Sequence, residues 1–352
     1  MQSGNWVLKD PNSAKFHVEQ TAAAMSDLAD MLGIDQELLG FRGRLGMVFG
    51  ARGSGGKNAA RAHYEPIHRV INLTKMGGGG SLGHEYFHAL DNVMHELVNA
   101  QSSGKKNEFV TANPNLLPEG ELRDAVKALS RAIMDGDLRA PEVIKFTEKD
   151  VNTAKYNIDA PRNRIARAIK DAGSATAGIL AVDAFLAPSS TGNSRIAKQR
   201  NQWRKLAVAY YASEGKTMAT LAVGKGVSSF AFEAATLDKG QLGSYWSQLE
   251  ELSARGFQAW IEDRMAQQER QNDYLSAFAD NKYRYDPLLD IQYKPFPEGD
   301  ERIKINAAFD NLFEVIRKNQ VFEKANANEA LLDSIFNASQ VDSPAPSLQR
   351  WS

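Results

Sequence analysis

The chain has 352 residues, enough for one large domain or two ordinary ones with a sizeable buried core. Its formal net charge of -1 does not mark a chain-wide nucleic-acid binder, so any basic surface has to be local. Cysteine is absent, which excludes disulfides, thiolate zinc sites, iron–sulfur clusters and cysteine nucleophiles together. The opening residues, Met1 to Trp6, carry neither a basic nor an apolar signal segment. The most apolar stretch, Ala175 to Pro188, is broken by Asp183 and is too short to span a bilayer. A cytoplasmic protein without a membrane partner is expected.

In chain order, residues 1–15 read as an extended lead-in, and Glu19 to Leu32 as an amphipathic helix ended by Gly33. Leu45 to Phe49 suits a strand, and Ala59 to Tyr64 the returning strand of a hairpin with it. Val70 to Thr74, β-branched and bounded by turn signals, is the best strand in the chain. Four glycines, Gly77 to Gly80, separate it from a helix over Ser81 to about Val98. From Pro118 onward the pattern is helical, with helices expected at Glu121–Met134, Arg162–Ala172, Ile196–Tyr211, Tyr245–Gln268 and Ile303–Lys318. Ser189 to Asn193 reads as a loop, Pro287 and Lys294 to Gly299 as breaks, and the segment from Ser343 as a flexible tail. The expected class is α+β, mainly helical, with a small N-terminal sheet. Four parts are expected: 1–40 as lead-in and helix, 41–115 as sheet and metal helix, 116–320 as a helical part, and 321–352 as C-terminal helix and tail.

The sharpest chemical signal is His84-Glu85-Tyr86-Phe87-His88, an H-E-x-x-H on an expected helix. Residues four apart share a helical face, so both imidazoles can reach one metal ion. Glu85 lies beside that face and can poise a water for attack. Zinc suits two neutral imidazoles and needs no redox chemistry. Only six histidines occur, so a chance match in the chain has a probability of about one in a hundred. The helix's other positions, among them Leu82, Tyr86, Phe87, Leu90, Val93 and Leu97, are apolar, so it is buried and its polar stripe needs a partner. His95 lies about 10 Å beyond His88 along the helix, too far to share the ion with His84, and reads as a partly exposed helix-end histidine. Met94 stands where some zinc peptidases place a third histidine, which excludes those classes. Asp91, one turn past His88, can orient a ligand imidazole. The third ligand has to come from another element. The strand–glycine–helix order also suggests that Val70–Thr74, or the hairpin over Leu45 to His63, offers a free edge to an extended substrate.

His84 to Asp91 resembles the H-E-x-x-H-x-L-D helix of gluzincins related to Mlc titration factor A. In those a downstream helix carrying Glu-x-Phe-Ala supplies a glutamate ligand, and Glu251-Leu252-Ser253-Ala254-Arg255 is similar in form. The wider chain is similar to the zincin-like metallopeptidase domain of bacteriophage and mobile-element polyvalent proteins. The resembling stretches are Gly43–Gly46, Gly50–Pro66, Val70–Asn92, Phe230–Asp238, Tyr245–Asp263 and Lys294–Phe313. The resemblance implies a zincin-like fold and a zinc-dependent peptidase. His84, His88 and Glu251 would hold Zn2+, Glu85 would be the catalytic base, and Arg255 would support the site. A peptide or protein substrate and a bacterial host cytoplasm, with virion association as a variant, are implied too. The alternative is a virion-associated or DNA-protecting module that keeps a structural metal site.

The chain departs from the family with Ser253 in place of Phe and Gln258 in place of Glu, so a carboxylate on the Glu251 face is missing. Glu250 is the neighbouring candidate ligand. Its face continues through Ala254, Phe257 and Ile261 as core, whereas Arg255, Gln258 and Glu262 on the Glu251 face could form a solvated, salt-bridged surface. Tyr210, Tyr211, Tyr245 and Trp246 read as core aromatic residues, and Tyr245, just before the ligand helix, is the candidate oxyanion donor. Ala51 to Lys57 approaches a phosphate-binding loop, but Asn58 stands where a hydroxyl would hold magnesium and no βαβ pattern follows. Arg52, Lys57 and Arg61 give that loop local charge, which does not by itself indicate nucleic acid.

Overall fold

The structure, a computed structural model, describes residues 2–3, 10–50, 62–74, 78–99, 105–138, 141–186, 194–212, 218–222, 226–238, 243, 245–280, 282–286 and 291–323. The charged loop from Ala51, the Ser189–Asn193 loop, Pro287 and the tail from Ser343 lie outside these residues. Two compact units emerge: residues 1–134 with 245–352, and residues 135–244. The division departs from the expected boundaries. The helical part expected over 116–320 is split, because the stretch 135–244 closes on its own core while the helices on either side of it complete the first unit.

The first unit begins with β1 (Gln2–Ser3) and α1 (Pro11–Leu32). The helix starts earlier than the apolar spacing suggests, because Asp10 accepts a hydrogen bond from the Ser13 amide and Pro11 suits the first turn. A short 3-10 segment, Gln36–Gly43, leads into β2 (Gly46–Phe49), β3 (Ala62–Glu65) and β4 (Val70–Leu73). The sheet order is β1-β2-β4-β3. β2 pairs parallel to β4, and β3 antiparallel to β4. The expected hairpin of β2 with β3 is therefore not formed; the antiparallel partner of β3 is β4. Val70–Leu73 is an interior strand, as its buried Ile71, Asn72 and Leu73 require, so the free-edge expectation fails for it. Among the described residues the edge strands of this sheet are the two-residue β1 and β3. Next come α2 (Leu82–Val98) and α3 (Glu121–Met134).

The second unit contains β5 (Asp135–Leu138), β6 (Pro141–Lys145), α4 (Glu148–Asp159), α5 (Arg164–Asp171), α6 (Ala175–Phe185), α7 (Ser194–Tyr211), β7 (Met218–Ala222) and α8 (Ser229–Leu237). β6 and β7 pair antiparallel, so strands are not confined to the N-terminal part as expected. Phe146, Ala154, Ile158, Ile169, Ile179, Val182 and Leu206 form the core of this unit. Thr147 and Asp150 form a reciprocal capping box at the start of α4.

The chain then returns to the first unit with α9 (Leu249–Gln267), the hairpin β8 (Arg284–Asp286) and β9 (Ile291–Tyr293), and α10 (Gly299–Lys318). α2, α9 and α10 meet through aromatic rings. Phe87 lies 5.1 Å from Phe257 and 5.5 Å from Phe309, and Trp260 lies 5.1 Å from Phe313, centroid to centroid. Gly256 permits the approach of α9 to α10, since a Cβ there would stand 3.2 Å from the Phe309 ring. The class is mainly helical α+β. No helix among the described residues is long and apolar enough to cross a membrane.

Candidate metal centre

α2 starts where the glycine turn is pinned by backbone bonds. Gly80 donates to the Tyr274 carbonyl at 2.9 Å and accepts from Ala277 at 3.2 Å, and the Gly83 amide donates to Leu275 at 2.8 Å. Gly80 has a φ of +84°, and a Cβ there would meet that of Ala277 at 2.7 Å, so only glycine fits. The start of the helix is thus locked to the segment following α9.

His84 and His88 point along one face of α2, with their Nε2 atoms 3.1 Å apart. Glu251, in the first turn of α9, faces both: its carboxylate oxygens stand 3.6 Å from His84 Nε2 and 3.5 Å from His88 Nε2. The latter two separations exceed ordinary hydrogen-bond lengths. They suit a shared ion: four ligands at about 2.0–2.1 Å in a tetrahedron stand about 3.3 Å apart. His84, His88 and Glu251 are the group among the described residues whose donor atoms converge for a metal. Two imidazoles and a carboxylate fit zinc chemically as well.

The electrostatics show how tightly the three are coupled. Burial by itself would lower the His88 pKa, but Glu251, Glu85 and Asp91 outweigh it and raise it. Burial opposes ionisation of Glu251, yet the two imidazoles hold its carboxyl far below the usual range. The Phe109 ring packs edge-on against His88 at 5.8 Å. Glu85 is nearly buried, and among the described residues no hydrogen bond engages its carboxylate.

Asp91 is fully buried, but it does not make the orienting bond expected of it. Its two oxygens accept from the Thr111 amide at 2.8 Å and the Thr111 hydroxyl at 2.5 Å, and His88 Nδ1 has no hydrogen-bond partner among the described residues. Burial raises the Asp91 pKa to about 7 against those two bonds. His95 is wholly buried, contrary to the exposed helix end expected. Asn92, which sequence reasoning passed over, accepts from the Tyr64 hydroxyl of β3 at 2.9 Å and donates to the Lys106 and Glu108 carbonyls. It ties the open strand to the metal helix. No spacing rule flags such a residue, because its partners are a tyrosine 28 residues away and two backbone carbonyls.

The Glu251 face of α9 is not a solvated surface. Arg255 is 4% exposed and Gln258 is 7% exposed. Arg255 donates to the Pro295 carbonyl at 2.9 Å and to the Trp246 carbonyl, holding the approach to α9 in place. Gln258 donates at 3.0 Å to the carbonyls of both Gly80 and Ala277. A carboxylate could donate neither bond, so the amide is the group this site requires. Tyr245 is 58% exposed, not a core residue. Partial burial, the charges of Glu251 and Glu85 and a hydrogen bond to Glu251 push its pKa up to about 12.

Residues 237–320 match the family model of large polyvalent protein-associated domain 1. No curated protein and no solved structure matches the chain. The matched stretch holds Tyr245, Glu251, Arg255 and Gln258 but neither His84 nor His88, and through it the chain is linked to polyvalent proteins.

Proposed function

We propose that this chain is a zinc-dependent metallopeptidase of the gluzincin, zincin-like kind, with His84, His88 and Glu251 as metal ligands. The observation that supports this reading is the convergence of two imidazole nitrogens and one carboxylate within 3.1–3.6 Å, beside the uncommitted carboxylate of Glu85. Zinc held by these three residues would polarise the scissile carbonyl as a Lewis acid. Glu85 takes the proton of the attacking water and delivers it to the leaving amine. Tyr245, with its pKa near 12, stays protonated at neutral pH and donates to the carbonyl oxygen as negative charge develops there. The open edge of β3 receives the extended substrate by backbone pairing, steadied against α2 by the Tyr64–Asn92 bond. The link to polyvalent proteins suits an enzyme carried by a bacteriophage or mobile element and acting in a bacterial host.

The test combines metal content with turnover. Purified protein should carry one zinc per chain and cleave an unstructured protein such as casein. Glu85→Gln should keep the zinc and lose the cleavage. Stoichiometric zinc without hydrolysis by the wild-type chain would move the reading to a structural metal site in a virion-associated or DNA-protecting module.

A further inference from the structure

A cavity of about 650 Å3 opens at the start of α2. Two of its wall residues share helix faces with the metal-centre candidates. Ser81, on its wall, lies three residues before His84 and so on the same face of α2, about 4.5 Å earlier along the axis. Gln258, also on its wall, lies two turns beyond Glu251 on the same face of α9. Pro295 belongs to the wall as well, and its carbonyl is held by Arg255, which sits between Glu251 and Gln258 on that face.

Rings and charges both line the cavity, and the charges are already committed. Arg284 donates to Asp280 at 2.8 Å and to the Phe278 and Lys282 carbonyls. Lys282 stands 3.6 Å from the same Asp280. The Gln258 amide donates to two carbonyls. An incoming carboxylate would have to compete with Asp280 for its cations. The rings of Phe278 and Phe296 face no such competition.

Phe278 is the telling residue. It has a φ of +67°, a left-handed backbone that is strained for a non-glycine residue. The conformation is fixed from both sides: Ala277 donates to Gly80, and Ala279 donates to the Glu262 carboxylate at 2.8 Å. Yet the ring is 68% exposed, so the strain gains no internal packing. It holds a large apolar ring on the wall of a cavity whose Ser81 and Gln258 share helix faces with His84 and Glu251. We propose that this cavity takes an aromatic side chain of the peptide crossing the metal centre, and that Phe278 selects it. The proposal rests on the peptidase reading and names its substrate class: peptides with an aromatic residue beside the scissile bond.

The test uses the full chain carrying Glu85→Gln, loaded with zinc, and calorimetric titration with three blocked peptides: acetyl-Ala-Phe-Ala-amide, acetyl-Ala-Asp-Ala-amide and acetyl-Ala-Ala-Ala-amide. The phenylalanyl peptide should bind about tenfold more tightly than the alanyl one, which is what burying about half of a phenyl side chain gives. Adding Phe278→Gly, which keeps the left-handed backbone without strain, should shrink that preference to within about twofold. Equal binding of all three, binding of none, preference for the aspartyl peptide, or a preference that survives Phe278→Gly would overturn the assignment. Turnover by the wild-type chain is scored separately. Aromatic preference without hydrolysis would keep the pocket and remove the peptidase reading, and hydrolysis without preference would do the reverse.

Discussion

The dependence of stability on zinc and pH follows from three groups at the centre. In the metal-free protein His88 has a pKa above its ordinary 6.5, because Glu251, Glu85 and Asp91 overcome the effect of burial. Its contribution to stability is therefore complete below about 6.5 and is lost as pH rises through the raised value. Asp91 is lifted by burial from 3.8 to about 7, so its contribution is complete below 3.8 and is lost as pH rises to about 7. Glu251 behaves oppositely. Its carboxyl is held below 4.5, so its contribution is present above 4.5 and disappears as pH falls through its lower folded value. The metal-free chain thus gains most from this cluster on the acid side of neutrality. Zinc needs neutral imidazoles and an ionised glutamate, so its gain grows as pH rises past the raised pKa of His88. At free zinc about a hundredfold above its dissociation constant the gain is about 2.7 kcal/mol. For a unit of this size that is a rise in melting temperature of about 5–11 °C. Scanning calorimetry of zinc-loaded and chelator-treated protein should show this gap near pH 8 and little of it near about pH 5.5. Glu251→Gln should abolish the gap and Glu85→Gln should keep it. Equal gaps at both pH values, or no gap at either, would refute the shared-ion geometry.

Three further outcomes are expected. Tyr245→Phe should lower kcat by about 10²–10³ with zinc content and melting unchanged, since it removes one oxyanion donor; steady-state kinetics with an intact kcat would remove Tyr245 from the chemistry. Gln258→Glu, which restores the residue usual in the resembling family, should cost about 1–3 kcal/mol in denaturant unfolding, because the Gly80 and Ala277 carbonyls lose their donor; a neutral or stabilising result would show that those bonds do not matter. Gly80→Ala combines a forced positive φ with a 2.7 Å clash against Ala277, and should cost about 1–3 kcal/mol and weaken zinc binding measured by competition with a chromophoric chelator.

The parts of the fold that could be read from the sequence are those where local pattern and tertiary demand coincide. The expected helix over Glu121–Met134 is observed with those bounds, and α2 is observed within a residue of its expected start, because the apolar spacing there matches the buried face. α4 was missed because Glu148–Asp159 is polar and buries only Ala154 and Ile158. α6 was missed for the opposite reason, being apolar on most sides, so no period stands out. The wrong hairpin came from chain adjacency: β3 follows β2, but the interior place is taken by β4, whose residues are buried on both faces. At the site, the spacing of His84 and His88 announces itself, whereas Glu251 lies in another helix and was reached only through a resemblance. The aromatic cavity left no trace in the pattern, since its signal is the backbone angle of Phe278.

α9 is where the separate demands on the site meet. Along one face, roughly one turn apart, Glu251 faces the imidazoles, Arg255 holds the Trp246 and Pro295 carbonyls, Gln258 holds the glycine turn, and Glu262 accepts from Ala279 and Ser276. In sequence this is a polar stripe of the kind that usually faces water. Here each member below Glu251 is spent on a backbone or hydroxyl group of a loop, and those loops are the walls of the cleft. Side chains that bond to loop backbones fix position without contributing a ligand atom or a reacting group. Such a stripe explains how one helix can set the distance between Glu251 and the histidines while also holding Phe278 in a strained conformation. The stretch that matches the family model, residues 237–320, includes the whole of α9.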